Sequence, residues 1–335
     1  MRIGIVNDMP LAVEALRRAL AQEPVHRVVW VAHDGASGVK ACAENTPDLV
    51  LMDLIMPGMD GAEATRRIMA ASPCAILIVT ASVGANAART FVAMSHGALD
   101  AVDTPDFMAA DPRRGSAPLL AKIATIGRLI GDRGTPATLP ARAAAADADV
   151  MLLAIGASAG GPGALVTLLS GLGQDFPGAV VIVQHVDVQF APGMADWLNG
   201  QSDLPVRVAR QGDRPARGEA LMACSEDHLA LIAPQLLGYT PDPLGYPYRP
   251  SVDVFFESVS ELWAGKAVGV LLTGMGRDGA LGLRAMRNRG CHTIAQDEAT
   301  SAVYGMPKAA AALGAAVDIL PLERIAPRLR QLFCQ

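Results

Sequence analysis

A glycine-rich segment with a single serine, Ile155 to Gly163, follows an apolar run near the middle of the chain. The apolar run, residues 150–155, is predicted to be a buried strand, and Pro162 stands where the first turn of a helix would begin. A serine on such a sharp strand-to-helix turn has its hydroxyl exposed at the carboxyl end of a sheet, and the glycines keep the approach to it open. The segment therefore indicates an α/β fold and makes Ser158 a candidate nucleophile. A plain glycine-rich turn with an incidental serine is the alternative.

Length and composition indicate a soluble protein of two domains. The chain has 335 residues, more than one typical domain, and 51% of them are hydrophobic, enough to bury two cores. Its net charge of -5 argues against nucleic-acid binding. The five cysteines are scattered and lack C-x-x-C spacing, which argues against disulfides and zinc and favours a reducing compartment. With neither a signal-peptide pattern nor a membrane-spanning apolar run, we expect a cytoplasmic protein that does not insert into the membrane.

Strand and helix patterns alternate on both sides of a low-complexity segment, residues 132–149, which is rich in Ala, Pro, Thr and Gly and is predicted to be a linker. Residues 1–131 contain five strand candidates, which predict a doubly wound, five-stranded parallel sheet. These candidates are residues 3–6, 28–31, 49–52, 76–79 and 99–102. Residues 150–335 resume the alternation and predict a second α/β domain with a mainly parallel sheet, whose middle part, Gln189 to Pro250, is predicted to be irregular.

Acidic and hydroxyl side chains follow the strands of the first domain. Asp8 follows the first strand, Asp53 the third, and Thr80 ends the fourth. The carboxyl ends of parallel strands converge, and two carboxylates meeting there would repel each other without a cation, so we expect Mg²⁺ at this edge. A carboxylate beside magnesium can attack phosphorus, and Thr80 could donate its hydroxyl to a phosphoryl oxygen. Taken singly, the two aspartates could equally be helix caps.

A histidine and an aspartate follow other strands of the second domain, as a serine nucleophile requires. The histidines of this domain are His185, His228 and His292. His185 is the best placed of them, because it ends the strand predicted over residues 179–184. Asp278 follows the strand predicted over residues 268–273, in a glycine-rich turn whose backbone N–H groups, from Met275 to Gly279, could form an oxyanion hole. The Ser, His, Asp order disfavours the α/β-hydrolase family.

The segment from Asp48 to Gly61 resembles the phosphoacceptor segment of two-component receiver domains, and the resemblance spans roughly residues 1–130. It implies that Asp53 is the phosphoacceptor and that Thr80 is the switch residue. It also implies that Asp8 and Asp53 hold Mg²⁺ together with a backbone carbonyl, that of residue 55.

Two departures from the receiver family concern the same edge. Asn7 stands where the family usually has a second acidic residue, and Thr104 stands where it has a lysine. The first change removes negative charge around the metal, and the second removes a charge-assisted contact to the phosphoryl group. We therefore expect weaker metal binding or altered phosphorylation kinetics.

Six motifs of the second domain resemble those of CheB-type protein-glutamate methylesterases and occur in the same order. They are Gly156–Gly161, Gln184–His185, Arg249–Asp253, Leu272–Gly279, Thr293–Glu298 and Tyr304–Pro307. The resemblance implies that Ser158 is the nucleophile, His185 the general base and then acid, Asp278 its orienting partner, and the Met275 amide an oxyanion donor. Two departures, at residues 159 and 248, place alanine and tyrosine where the family often has threonine and histidine.

The resemblance implies a phosphorylation-regulated hydrolysis of glutamate methyl esters on a chemoreceptor, with deamidation of receptor glutamine as a second reaction. The receiver would cover the Ser158 crevice until phosphorylation of Asp53 by a CheA-like histidine kinase loosens it. The opening residues 3–10 and the segment 97–105 are most similar to the WspF branch, whose output is a diguanylate cyclase. A non-catalytic scaffold that binds receptor or kinase in response to phosphorylation is the rival hypothesis.

Overall fold

The computed structural model describes residues 1–105, 112–131 and 150–334 of the chain. Contacts divide the chain into two compact units, Met1–Asp132 and Arg133–Gln335. The linker predicted over residues 132–149 lies outside the described residues, so the boundaries at residues 131 and 150 stay predictions.

The first unit is built on a five-stranded parallel sheet with the strand order β2-β1-β3-β4-β5. Its elements are β1 (Arg2–Val6), α1 (Pro10–Leu20), β2 (Arg27–Ala32), α2 (Gly35–Glu44), β3 (Leu49–Asp53), α3 (Gly61–Ala71), β4 (Ala75–Thr80), α4 (Ala87–Ser95), β5 (Asp100–Asp103) and α5 (Pro112–Gly131). Strands β3 and β4 are buried along their whole length, as expected for parallel strands covered by helices on both faces. The predicted doubly wound sheet is confirmed.

Local sequence explains where the helices of this unit begin. Asp34 caps α2 and Asp60 caps α3, each accepting a hydrogen bond from a backbone N–H three residues later. Gly61 is required by close approach, because a Cβ there would lie 2.0 Å from the carbonyl oxygen of Asp53. The start of α3 is thus packed directly against the end of β3.

The second unit is built on a seven-stranded parallel sheet with the order β14-β13-β12-β6-β7-β9-β8, and β10 and β11 form a separate antiparallel hairpin. Its strands are β6 (Leu152–Ala157), β7 (Ala179–Gln184), β8 (Val206–Val208), β9 (Ala220–Met222), β10 (His228–Ala233), β11 (Leu236–Thr240), β12 (Ala267–Leu271), β13 (His292–Gln296) and β14 (Asp318–Leu320). Its helices are α6 (Gly161–Leu172), α7 (Ala191–Gln201), α8 (Val252–Leu262), α9 (Ala280–Asn288), α10 (Met306–Ala312) and α11 (Leu322–Phe333). The prediction of a mainly parallel α/β unit is confirmed.

The stretch predicted to be irregular, Gln189 to Pro250, is more regular than its composition indicates. It contains α7 and four strands, two of them only three residues long. Helix α7 carries proline in its first turn, where a missing N–H costs nothing, and tolerates glycine and asparagine near its end. Within the described residues, no helix combines the length and the apolar character that crossing a membrane requires.

Candidate active site and phosphoryl site

Ser158 lies on the turn between β6 and α6, and it is only 3% exposed. Its backbone N–H donates to the carbonyl of Thr273 at 3.0 Å, and its own carbonyl accepts from Gly161 N–H at 2.7 Å. Gly160 between them adopts a left-handed conformation with φ of 76°, which favours glycine. The predicted strand, serine and helix are therefore all present, and the turn is held from both sides.

The structure brings the three predicted catalytic side chains to one edge of the sheet. Strands β12, β6 and β7 are adjacent and parallel, and Asp278, Ser158 and His185 follow them in that order across the sheet. His185 and Asp278 are 6% and 7% exposed, and Nε2 of His185 lies 2.7 Å from Oδ2 of Asp278. The hydrogen-bonded histidine and carboxylate supply one of the two contacts that nucleophilic catalysis by a serine requires, and no hydrogen bond joins the Ser158 hydroxyl to Nδ1 of His185 in the described structure.

The carboxylate of Asp278 is held at the amino end of α8 by three donors besides His185. The Ser251 hydroxyl and the Val252 amide each donate to it at 2.7 Å, and the Asp253 amide donates at 3.1 Å. Burial acts to raise the pKa of Asp278, but the hydrogen bond and charge of His185 and the donors of α8 lower it below its ordinary value. Asp278 is therefore ionised at neutral pH.

The ionised carboxylate settles which nitrogen of His185 carries the hydrogen. Asp278 can only accept, so Nε2 of His185 donates to it and Nδ1 is the basic nitrogen. Among the described residues, Nδ1 is buried and has no hydrogen-bond partner. It is thus free to accept a proton.

The predicted phosphoryl residues of the first unit line one cavity of about 640 Å³. Asp8, Asp53, Ile55 and Thr80 all contribute to its wall. Burial raises the pKa of Asp53, and the negative charge of Asp8 raises it further, against hydrogen bonds from the amides of residues 55 and 54. The negative charge of Asp8 thus adds to the effect of burial in disfavouring the ionised form of Asp53.

The two departures from the receiver pattern lie in the same cavity wall. Asn7 is 2% exposed, and its side-chain oxygen accepts from the Met9 amide at 2.9 Å. Thr104 donates its backbone N–H to the carbonyl of Thr80 at 2.8 Å. On the neighbouring helix α5, Lys122 is paired with Asp100 at 2.5 Å. No lysine lines the described part of the cavity.

The donor set of this cavity fits Mg²⁺. Two carboxylates and a main-chain carbonyl are hard oxygen ligands, and magnesium in proteins commonly takes one or two carboxylates and completes its shell with water. A cation would also relieve the repulsion that raises the pKa of Asp53. The described residues contain no group of three or more His, Cys, Asp or Glu side chains suited to a metal.

Comparison with known proteins matches both units. Residues 153–329 match the family model described as CheB methylesterase, and residues 3–106 match that of the response regulator receiver domain. A protein-glutamate methylesterase/protein-glutamine glutaminase 4 from Burkholderia thailandensis is 64% identical over 334 residues, covering 99% of this chain and 97% of that protein. The chain belongs to the CheB methylesterase family.

Two further CheB relatives agree with this. A protein-glutamate methylesterase/protein-glutamine glutaminase 1 from Pseudomonas fluorescens is 61% identical over 336 residues, which cover 99% of each protein. The crystal structure of the Thermotoga maritima CheB methylesterase catalytic domain is 32% identical with a TM-score of 0.53, and the match covers 55% of this chain and 99% of that one. The resemblances to CheB and to receiver domains are confirmed, whereas the WspF branch stays a prediction.

Gln184 is a residue of this CheB site whose role the sequence did not reveal. Fully buried, it donates from Nε2 to the carbonyls of Ser158 and His185, both at 2.9 Å. A Cβ at Gly161 would lie 2.0 Å from its Oε1, so the helix start is also packed against it. Gln184 therefore links the backbone of the candidate nucleophile to that of the candidate base. The sequence signal for it was its place in the Gln184–His185 motif, which gave Gln184 no role.

The turn that carries the candidate oxyanion donor packs directly against the serine. A Cβ at Gly274 would lie 2.8 Å from Cβ of Ser158, and the Gly274 carbonyl accepts from the amides of Gly305 and Met306. Met275 follows at once in the same turn. The location suits an oxyanion donor, and the role itself stays a prediction.

The other two histidines of the CheB unit have structural partners. His228 is fully buried, accepts from the Ser251 amide at 3.0 Å and donates to the Pro243 carbonyl at 3.1 Å. Burial lowers its pKa, so it stays neutral. His292, on β13, pairs with Asp318 at 2.8 Å. The choice of His185 is the one that the geometry favours.

Helix α8, whose amino end binds Asp278, carries two further carboxyl groups, those of Asp253 and Glu257. Asp253 accepts from the amides of Leu281 and Gly282 at 3.0 and 2.8 Å, which ties α8 to the start of α9. Burial, with the charge of Asp278, raises its pKa to about 8. One turn later, burial and the charges of neighbouring carboxylates raise the pKa of Glu257 to about 7.

Glu257→Gln is expected to stabilise the protein above neutral pH and to change little near pH 5. The pKa of Glu257 is about 7 in the folded state, against an ordinary value of 4.5 that we take for the unfolded state. Because the unfolded state therefore ionises more readily, the free energy of unfolding falls as the pH rises from about 4.5 to about 7. The gain at pH 8 should be on the order of 1 kcal/mol, since solvent screening reduces the effect at this half-buried site. Denaturant unfolding at pH 5 and pH 8 measures it. Glu226→Gln makes the same substitution at an exposed site and is the control. Equal pH dependence of stability in the two variants would contradict the raised pKa of Glu257.

Proposed function

We propose that this chain is a phosphorylation-regulated protein-glutamate methylesterase that hydrolyses glutamate 5-O-methyl esters on chemoreceptors to glutamate and methanol. The observation that carries the proposal is the buried hydrogen bond of 2.7 Å between His185 and Asp278, at the sheet edge where Ser158 begins its turn. The substrate class comes from the names of the relatives. We expect the chain to act in the cytoplasm.

In the proposed reaction, the Ser158 hydroxyl attacks the ester carbonyl while Nδ1 of His185 takes its proton. Asp278 stabilises the imidazolium that forms, because it already accepts the Nε2 hydrogen. The Met275 amide donates to the oxyanion of the tetrahedral intermediate. Methanol then leaves with the proton from His185, and water hydrolyses the acyl-enzyme by the same steps. Deamidation of receptor glutamine follows the same course with ammonia as the leaving group.

The first unit, proposed as residues 1–131, supplies the regulation of the catalytic unit, residues 150–335. Asp53 accepts the phosphoryl group from a CheA-like histidine kinase, and Thr80 acts as the switch residue. Asp8, Asp53 and the Ile55 carbonyl would hold Mg²⁺, which supplies charge neutralisation for phosphoryl transfer. Phosphorylation would relieve inhibition of the esterase. Among chemosensory systems, we favour a Wsp-like pathway on the residues quoted above.

Asn7→Asp is expected to tighten Mg²⁺ binding roughly 5- to 10-fold, because it adds a negative charge beside the metal. Thr104→Lys is expected to accelerate phosphorylation, since an ammonium group would contact the phosphoryl oxygens. A magnesium titration and the rate of labelling by acetyl phosphate measure the two effects. Asp53→Asn, which should take up no label, is the control. Unchanged affinity and rate in the double variant would show that these departures do not limit the receiver.

The deciding experiment is methanol release from membranes carrying methylated receptor, with and without a phosphodonor. Wild type should release methanol, faster with phosphodonor, and Ser158→Ala should release none. The second candidate is a phosphorylation-dependent scaffold that binds receptor or kinase without catalysis. A scaffold would release no methanol with cognate receptor, and its cellular effect would survive Ser158→Ala.

A further inference from the structure

The aromatic ring of Tyr248 lies flat on the imidazole of His185. The ring centroids are 3.7 Å apart and the planes differ by 14°. Both nitrogens of that imidazole have a role at the ring edge: Nε2 donates to Asp278, and Nδ1 is the basic nitrogen. Tyr248 therefore contacts a face of the ring and does not compete for a hydrogen bond with either nitrogen.

The segment that carries Tyr248 is held at two points. It joins β11 to α8, and His228 donates to the Pro243 carbonyl within it at 3.1 Å. At its end, the Ser251 amide donates back to His228 at 3.0 Å. Because Ser251 also donates to Asp278, one buried histidine ties this segment to the carboxylate that orients His185. These hydrogen bonds hold the segment that carries the stacked Tyr248 ring in place beside Asp278.

We propose that Tyr248 is a positioning residue for the esterase reaction, acting through His185, an inference that rests on the proposed function. Its ring fixes the plane of the imidazole, so that Nε2 faces Asp278 while Nδ1 stays free. Its electron-rich face also attracts the positive charge that His185 acquires when it takes the serine proton. The neutral imidazole of the resting enzyme is attracted less strongly by the ring. The interaction is therefore stronger in the transition state than in the resting enzyme, and it should raise kcat.

Tyrosine suits this role better than a second histidine would. A second histidine ring can itself become protonated, and two stacked imidazolium groups would repel each other. The phenol ring of Tyr248 cannot carry positive charge. We therefore expect the Tyr248→His variant to have a lower kcat than this chain at acidic pH, because a protonated second imidazole would oppose the charge that His185 acquires in the transition state.

The test compares Tyr248→Phe with Tyr248→Leu. Phenylalanine keeps the aromatic face, whereas leucine covers the imidazole with an apolar side chain that has none. Tyr248→Phe should stay within about 2- to 3-fold of wild type, and Tyr248→Leu should lower kcat by roughly 5- to 30-fold with little change in KM. The acid limb of the kcat/KM profile should move to lower pH in Tyr248→Leu alone, because the protonated imidazole has lost its stabilising partner. Tyr248→Met serves as a second non-aromatic variant if the leucine variant does not fold.

An NMR titration of the His185 ring protons separates this proposal from the esterase proposal. The signal is assigned by its loss in His185→Gln and followed in wild type, Tyr248→Phe and Tyr248→Leu without substrate. A lower titration midpoint in Tyr248→Leu alone supports the stacking role whether or not methanol is released. Identical midpoints and identical kcat in the Phe and Leu variants would overturn it, and so would a Phe variant as impaired as the Leu variant. Failure of wild type to release methanol would count against the esterase proposal alone.

Discussion

Ser158→Ala is expected to lower kcat for glutamate methyl ester hydrolysis by roughly 10⁴- to 10⁶-fold, the range seen when a triad serine is removed from a hydrolase. The substitution deletes one oxygen atom from a side chain that is 3% exposed, and it leaves the backbone hydrogen bonds with Thr273 and Gly161 in place. Its effect on stability should therefore be small. Methanol release from methylated receptor, measured together with thermal unfolding, separates the chemical loss from any structural one.

Ser170→Ala is the matched control for this variant. Ser170 lies on the helix that follows the candidate nucleophile, is exposed, and donates to the Gln201 carbonyl at 3.1 Å. Its replacement should leave methanol release unchanged. If Ser158→Ala retained activity comparable with that of Ser170→Ala, the nucleophile would lie elsewhere and the proposed acyl-enzyme would be wrong.

Much of the fold could be predicted from local sequence, because parallel strands buried on both faces are continuous apolar runs. Strand β7 was predicted with the bounds that the structure has, Ala179–Gln184. Short edge strands could not be found in this way. Strands β8 and β9 have three residues each, too few to show a periodic pattern, and their pairing depends on residues distant in the chain.

The candidate site could be predicted in part, because a parallel sheet brings the ends of its strands to one edge. By that rule alone, Ser158, His185 and Asp278 are predicted to lie at the same edge. It could not find Gln184 or Ser251, whose contributions are hydrogen bonds to residues far away in sequence. Both residues lie in motifs quoted from the sequence, but the motifs gave neither a role, since their partners are set by the folded backbone.

The carboxylates around α8 show why the site has one ionised acid and not two. The charge of Asp278 is stabilised by His185 and by three donors of α8, which lower its pKa. Burial and the neighbouring charge of Asp278 raise the pKa of Asp253 to about 8, so that group keeps its proton at neutral pH. Because Asp253 keeps its proton, the site contains one buried negative charge, that of Asp278, instead of two adjacent ones. The two aspartates should therefore respond very differently to replacement by asparagine.

Asp278→Asn is expected to lower kcat by about 10⁴-fold, as when the aspartate of a triad is made neutral. One side-chain oxygen becomes an amide group that can only donate, yet every partner of the carboxylate is itself a donor, including Nε2 of His185 and the Val252 amide. If the new amide faces His185, the imidazole must carry its hydrogen on Nδ1 and no longer has a basic nitrogen for the serine. If the new amide faces the amino end of α8, a buried donor loses its acceptor, at a cost of about 1–3 kcal/mol of stability.

Asp253→Asn is the matched control, because it makes the same chemical change at the neighbouring aspartate, whose backbone amide donates to Asp278. An asparagine there can still accept from the amides of Leu281 and Gly282, and it replaces a group that is already neutral at pH 7. We expect methanol release within a few-fold of wild type, against the loss of about 10⁴-fold for Asp278→Asn. Equal loss in the two variants would mean that the charge of Asp278 has no special role. Full activity in Asp278→Asn would show that His185 does not depend on this carboxylate for its tautomer, and the proposed proton path through Nδ1 would fail.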